Sequence, residues 1–294
     1  MATTDSIFSV LDDEDHFLKC FGVFRKRLQE KDMTSEDWLA NIVTDVRPKV
    51  VQSVDQSTKG TLKALGVGSG DGRTEDYFLS HIEGDFAQIH QSLVEPNRLL
   101  AEQHKKNTQQ TNKKNVTYDW NVQTLEEYME EMKGFKYHLI SAIHSLYHMT
   151  NPEESLGFLY DQLEENGNLL IVLRSEKSVA GLIAPGIPSQ YNKIIIESSR
   201  FVLDYFDARG IPYDLHVRDL TLDVSGCLDK VIPEEASLLL DFLTHVKDFC
   251  KAPLPPGIKD SVFSALRETV ENSSKSQGVI YPYHCIVVQR RHGQ

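Results

Sequence analysis

Four glycines on alternate positions, Gly66, Gly68, Gly70 and Gly72, follow a short apolar run that starts at Leu62. Further along, Ser92-Leu-Val-Glu-Pro96 closes a second apolar run on an acid, Glu95. Glycines at the end of a strand let the backbone turn tightly and approach a ligand with no Cβ in the way. An acid closing the next strand accepts hydrogen bonds from the two hydroxyls of a ribose, a task that suits a carboxylate. The spacing also separates ligand classes. A dinucleotide loop reads G-x-G-x-x-G, with a pyrophosphate over the helix that follows. Here the pattern is G-x-G-x-G-x-G, and no Lys-Ser/Thr follows as in a phosphate-gripping loop. Such a loop suits a small zwitterion carried on a nucleoside better than a pyrophosphate.

Other chemistry is sparser. His144 and His148 stand four apart, the spacing that puts two imidazoles on one helix face, but no H-E-x-x-H glutamate accompanies them and no metal site is expected. His144 follows the fourth predicted strand, where doubly wound sheets hold their ligands, and reads either as a pocket residue or as a structural histidine. The four cysteines, Cys20, Cys227, Cys250 and Cys285, include no C-x-x-C pair, so reduced thiols are expected. The charge runs Asp12–Asp15 and Glu126–Glu131 read as solvated faces.

These residues need a scaffold. Residues 6–55 read as helices, with Phe17, Phe21, Phe24 and Leu28 at helical spacing and a second start at Thr34-Ser35. Strand and helix then alternate. Strands are expected at 61–67, 87–94, 116–120, 137–143 and 168–173, and helices from 73 to 82, 97 to 106, 125 to 133 and 152 to 165, the last stopped by Asn166-Gly167. That order predicts an α/β fold with a doubly wound, mainly parallel sheet and helices on both faces. Beyond Ser175 the pattern gives helices at 194–207 and 235–249, a strand at 214–224, a rigid Pro253–Gly257 loop and a last strand at 284–289.

Composition bounds the function. The 294 residues suffice for one large α/β domain. The balance of 31 Lys+Arg against 43 Asp+Glu gives a formal charge of -12, which disfavours nucleic acid and anionic membranes as partners. No apolar run approaches a membrane span, and the acidic start is unlike a signal peptide, so a cytoplasmic location is expected.

Over nearly its whole length the chain resembles the histamine N-methyltransferase-like family of class I S-adenosylmethionine-dependent methyltransferases. The resemblance rests on the Phe17–Leu28 helix, the glycine loop, Leu93-Val-Glu-Pro96, Tyr118-Asp-Trp120, Leu139–Tyr147, Leu238–Thr244 running into Ala252-Pro253, and the tail Ile286-Val-Val288. It implies a seven-stranded sheet whose last strand is antiparallel, with a helical substrate lid. A helical cap would span 1–55, the cofactor-binding half 56–175, the lid region 176–275 and the returning C-terminal strand 276–294. It implies S-adenosyl-L-methionine as cofactor, held by Gly66, Gly68, Gly70, Glu95 and Ile143. It also implies a small imidazole amine such as histamine as acceptor, met by Glu30, His144, Tyr147 and Tyr281, and a monomer. Leu100 and Leu125 stand where the family uses polar side chains, and His144 and Tyr281 where it uses amides. A non-catalytic cofactor-binding protein of the same fold, or a methyltransferase for another small amine, remains the alternative.

The implied reaction asks little of the protein. A sulfonium methyl is already activated, so holding nitrogen, methyl and sulfur in line at about 3 Å is the main requirement, and no side chain is needed as a covalent or acid–base catalyst. An imidazole with a pKa near 6.5 is mostly neutral at pH 7, whereas an alkyl ammonium near 10 is not, which favours a ring nitrogen as nucleophile.

Overall fold

The computed structural model describes residues 8–29, 35–54, 60–111, 113–132, 134–196, 198–273 and 278–291, with backbone alone at 29 and 35–41. Glu30 lies outside the described residues.

The chain begins with α1 (Glu14–Arg27), capped by the Asp13 side chain on the His16 amide, then the two-residue β1 (Leu28–Gln29) and α2 (Ser35–Gln52). The alternating core follows: β2 (Thr61–Val67), α3 (Arg73–Ile82), β3 (Gln88–Val94), α4 (Arg98–Thr111), β4 (Val116–Asn121), α5 (Leu125–Glu131), β5 (Tyr137–Ile143), α6 (Pro152–Asp161) and β6 (Leu163–Arg174). The remainder comprises α7 (Val179–Ile183), α8 (Ser189–Asn192), α9 (Ser199–Ala208), β7 (Tyr213–Asp223), α10 (Glu234–Thr244), α11 (Ile258–Glu271) and β8 (Gly278–Gln289).

Local chemistry accounts for most of these limits. β2 and β5 are almost continuously buried, as strands covered on both faces must be. α3 sinks Phe78, Leu79 and Ile82 on one face. α5 opens on a capping box in which the Thr124 hydroxyl accepts from the Glu127 amide and Glu127 accepts from the Thr124 amide. Pro152 starts α6, where its missing N–H costs nothing.

The strands run in the order β1-β7-β8-β6-β5-β2-β3-β4. Pairs β2/β3, β2/β5, β3/β4 and β5/β6 are parallel. Asn166 and Gly167 exchange hydrogen bonds with Arg290, and the Ser175 amide donates to Pro282, so β8 runs antiparallel to β6. The expected seven-stranded, doubly wound sheet with one antiparallel return is therefore present, with β1 as a short eighth strand on β7.

The chain divides into two compact units. One comprises 33–173, 201–216 and 284–294 and contains the parallel core. The other comprises 1–32, 174–200 and 217–283 and contains α1, α7, α8, α10 and α11. Within it α1 lies along α10, and α7 meets α10 and α11. All four cysteines are free thiols, and among the described residues no helix is long and apolar enough to cross a membrane.

Several expected limits move. The helix expected to reach Glu165 ends at Asp161, and β6 starts at Leu163. Asn166, with φ of 60°, sits inside the strand at a register shift against β5, so Asn166-Gly167 is an irregularity of the sheet and no helix stop. The helix expected over 235–249 ends at Thr244, because His245 takes the left-handed conformation and Asp241 collects the next free amides. The helix expected from Ile194 begins at Ser199, and α4 runs five residues past its expected end. The final strand starts at Gly278, and α11 was not anticipated.

Candidate functional site

The parallel register fixes which residues share one edge. Val67 is level with Val94 on one side and with Ala142 on the other. Gly68 and Glu95 therefore leave the sheet together beyond β2 and β3, level with Ile143, the last residue of β5. Between β2 and β5 the strand order reverses direction, the switch point beside which doubly wound sheets hold their ligands.

The glycine loop is tied to β3 by the Gly68 amide, which donates to the Val94 carbonyl at 2.7 Å. Gly68 has φ of 63°, and a Cβ there would lie 2.3 Å from that of Ser145, so only glycine fits between these loops. Glu95 is buried, and its carboxylate accepts from the Gly70 amide and from the Asn97 amide, both at 2.8 Å. Each oxygen thus spends one lone pair on fixing the loop and the start of α4. A carboxylate offers about four lone-pair sites and accepts strongly from hydroxyls, the acceptor type that the two hydroxyls of a ribose call for.

Two buried hydroxyls at this edge, Ser69 Oγ and Ser145 Oγ, lack a hydrogen-bond partner. Orphaned hydroxyls beside a carboxylate are what a polar, partly charged ligand would satisfy, so the residues present fit a nucleoside-borne zwitterion. Beneath them lies Glu75, whose Oε1 is 3.2 Å from where a Gly66 Cβ would be. Burial pushes its carboxyl up to about 8, with Asp76, Glu95 and Asp71 adding to the rise. At neutral pH it is chiefly a protonated acid under the loop. On the far side His104 packs its ring on Gly72 and edge-on against Trp120, with Nε2 buried and unpartnered and its pKa lowered to about 4 by burial.

His144 also stands at this edge. It is exposed, has φ of 55°, donates its amide to the Val172 carbonyl, and brings Nδ1 to 3.3 Å from the Tyr147 hydroxyl. His144 and Tyr147 thus form a pair, with Ile143 half-buried before them. Leu125 is part of the core, and Leu100 is half-buried on α4.

Tyr281 belongs to the other unit, buried on β8. It meets Phe24 edge-on at 5.4 Å and Tyr283 at 5.6 Å. Phe24 stacks on Phe242 at 4.4 Å, and Phe17 and Phe21 stack on each other beside it. This aromatic cluster joins α1, α10 and β8. Beside it His16 Nε2 lies 2.8 Å from Asp241 Oδ2, and Cys20 is fully buried. Burial, reinforced by Asp241, pushes the Cys20 thiol up to about 12.

Three residues escaped the sequence reading. Glu75 looks like an ordinary helix acid, and Ser145 carries no motif. His104 follows Gly72 too distantly for its packing to be foreseen. Only the left-handed demand of alternating glycines hinted that something had to press on that loop.

No family model matches the chain. It is 27% identical over 271 residues to histamine N-methyltransferase of Danio rerio, covering 88% of this chain and 89% of that protein. It is 23% identical over 248 residues to carnosine N-methyltransferase 2 of Gallus gallus, covering 81% and 76%. Among solved structures, a candidate sarcosine dimethylglycine methyltransferase from Galdieria sulphuraria superposes with a TM-score of 0.53 at 11% identity, covering 95% of this chain and 99% of that one, a likeness of fold.

Proposed function

The chain belongs to the histamine N-methyltransferase-like group of class I methyltransferases, and from that premise we propose that it moves a methyl group from S-adenosylmethionine to a ring nitrogen of a small imidazole amine, histamine or a histamine-like compound. The observation that carries the reading is Glu95: a buried carboxylate just past the end of β3, clamping both the glycine loop and the start of α4. That carboxylate would accept hydrogen bonds from the ribose hydroxyls. Gly66, Gly68 and Gly70 would line the approach, the Ser69 and Ser145 hydroxyls would meet polar atoms of the amino-acid portion, and Ile143 would cover the apolar side.

Bound there, the cofactor supplies an activated sulfonium methyl. The chain's part is orientation. His144 and Tyr147, paired at the same edge, would hold the acceptor ring by hydrogen bonds to the nitrogen that is not methylated. Glu30 would take the ammonium tail, and Tyr281 would offer it an aromatic face. A carnosine methyltransferase among the relatives extends the acceptor class to histidyl dipeptides, which carry the same ring. We further read the protein as a cytoplasmic monomer whose 1–55 and 176–275 segments cover the acceptor.

The test is calorimetric titration with S-adenosylmethionine and its demethylated product, followed by a methyl-transfer screen over histamine, histidyl dipeptides, other imidazoles and aryl amines. Transfer to an imidazole ring nitrogen supports the reading. Binding of the cofactor with transfer to no acceptor would make the protein a non-catalytic binder of the same fold. No binding would overturn the cofactor site itself.

A further inference from the structure

His16 and Cys20 stand four residues apart on α1, so both side chains leave the same face of the helix. Opposite them on α10 is Asp241. One donor atom from each, the imidazole Nε2, the thiol Sγ and a carboxylate oxygen, lie within 4.8 Å of one another. Nitrogen, sulfur and oxygen donors in a three-protein-ligand set match the borderline chemistry of Zn²⁺. Bond lengths near 2.0–2.3 Å place tetrahedral donors roughly 3.3–3.7 Å apart, so the sulfur need close in only by about an ångström while His16 Nε2 and Asp241 Oδ2, now 2.8 Å apart, open by about half an ångström or slightly more.

The surroundings favour a site over a chance meeting. Asp241 is held by the Asp248 amide at 2.9 Å and the Phe249 amide at 2.8 Å, which fix the carboxylate's orientation independently of His16. This is the outer-shell support that orients a metal-ligating carboxylate. The His16–Asp241 hydrogen bond already ties α1 to α10 and the two amide bonds fix the carboxylate, and Cys20 takes part in none of the three. Cys20 is nonetheless buried beside them. His16 is 15% exposed, and this leaves a route from solvent for the ion and room for a water as fourth ligand.

We propose that His16, Cys20 and Asp241 bind a zinc-class divalent cation with a solvent molecule as fourth ligand, stapling α1 to α10. As the ion binds, the thiol proton leaves to solvent, the His16–Asp241 hydrogen bond is given up, and the imidazole takes the tautomer protonated on Nδ1, which frees the Nε2 lone pair. The staple fixes α1 as the carrier of Phe17, Phe21 and Phe24 against Phe242. It does not depend on the acceptor proposed above.

The test is anaerobic titration of the full chain with Co²⁺, whose bond to a thiolate gives a near-ultraviolet charge-transfer band that imidazoles and carboxylates do not give. Expected are one Co²⁺ per chain, displacement of the band by Zn²⁺, and a rise in Tm with Zn²⁺. Cys20→Ser should abolish the band, and His16→Gln should weaken binding by more than about 100-fold, beyond the usual loss of an outer-shell partner. Cys250→Ser, which removes the half-buried thiol, should leave the band intact. A wild-type chain with no thiolate band would overturn the proposal without recourse to any variant. So would a band that survives Cys20→Ser or disappears in Cys250→Ser.

Discussion

Replacing Glu75 with glutamine tests whether the floor of the glycine loop is a neutral acid. The carboxyl is 6% exposed, and burial displaces its pKa from an ordinary 4.5 to about 8. Between those values the unfolded chain has lost the proton and the folded chain keeps it. Stability therefore falls as pH rises through that window, and the penalty is complete above about pH 8. At about 1.36 kcal/mol per tenfold, the full displacement is worth ~5 kcal/mol, and the part accrued by pH 7 is ~3 kcal/mol. Glutamine has the same shape and no charge, so Glu75→Gln should match the parent at pH 4.5 and exceed it increasingly up to pH 8. Urea unfolding of both chains at intervals from pH 4.5 to 9 measures the difference, in which the titrating groups not coupled to Glu75 cancel. Parallel stability curves across that range would refute the buried neutral acid. A bound cation near the loop should shrink the gap, because a positive charge favours the carboxylate.

Other expectations follow from the same geometry. Glu95→Gln turns one acceptor toward an amide as a donor and removes the charge, so S-adenosylmethionine should bind about 10- to 150-fold more weakly by calorimetry, the equivalent of ~1.5–3 kcal/mol; unchanged affinity would remove Glu95 from the site. Gly68→Ala forces a Cβ to 2.3 Å from that of Ser145 and should lower Tm and cofactor affinity, while Ser145→Gly in the same chain should recover part of the Tm, the share due to the clash. Strictly additive effects would show that the two loops do not touch. His144→Gln loses the Nδ1–Tyr147 contact and offers the acceptor an amide instead, so the ratio of kcat/KM for histamine over a histidyl dipeptide should change severalfold with cofactor affinity held constant; an unaltered ratio would leave His144 a structural residue.

The segments best legible in the sequence were those whose signals are local. The limits of β2, α3 and β5 fall where the apolar runs and the glycines put them. Asn166-Gly167 misled because a left-handed residue ends a helix and kinks a strand equally well. What decides between the two is Arg290, at the other end of the chain. His245 likewise carries no local mark of ending a helix, since Asp241 gathers the amides of Asp248 and Phe249 only once the turn has formed. α11 buries chiefly Val262 and Leu266, too thin a stripe to read as a helix from sequence. At the candidate site, Gly68 and Glu95 could be picked out from spacing and Ile143 from the family resemblance, and the parallel register puts these three strand ends side by side. Glu75, His104 and Ser145 could not, since their importance comes from what they press against.

The contact between His104 and Trp120 gives the protein an optical reporter of its own. The chain has two tryptophans, so a Trp38→Phe background leaves Trp120 as the sole indole emitter. Its ring lies edge-on to His104 at 4.9 Å, with the Lys105 ammonium 5.4 Å from its centre. His104 in turn rests on Gly72, at the end of the glycine loop. Any shift of that loop must move the imidazole and change the field felt by the excited indole. Because burial keeps the imidazole uncharged until about pH 4, the emission stays free of histidine quenching throughout the neutral range. A change in intensity or wavelength on mixing would therefore time the loop's motion directly, with no dye attached.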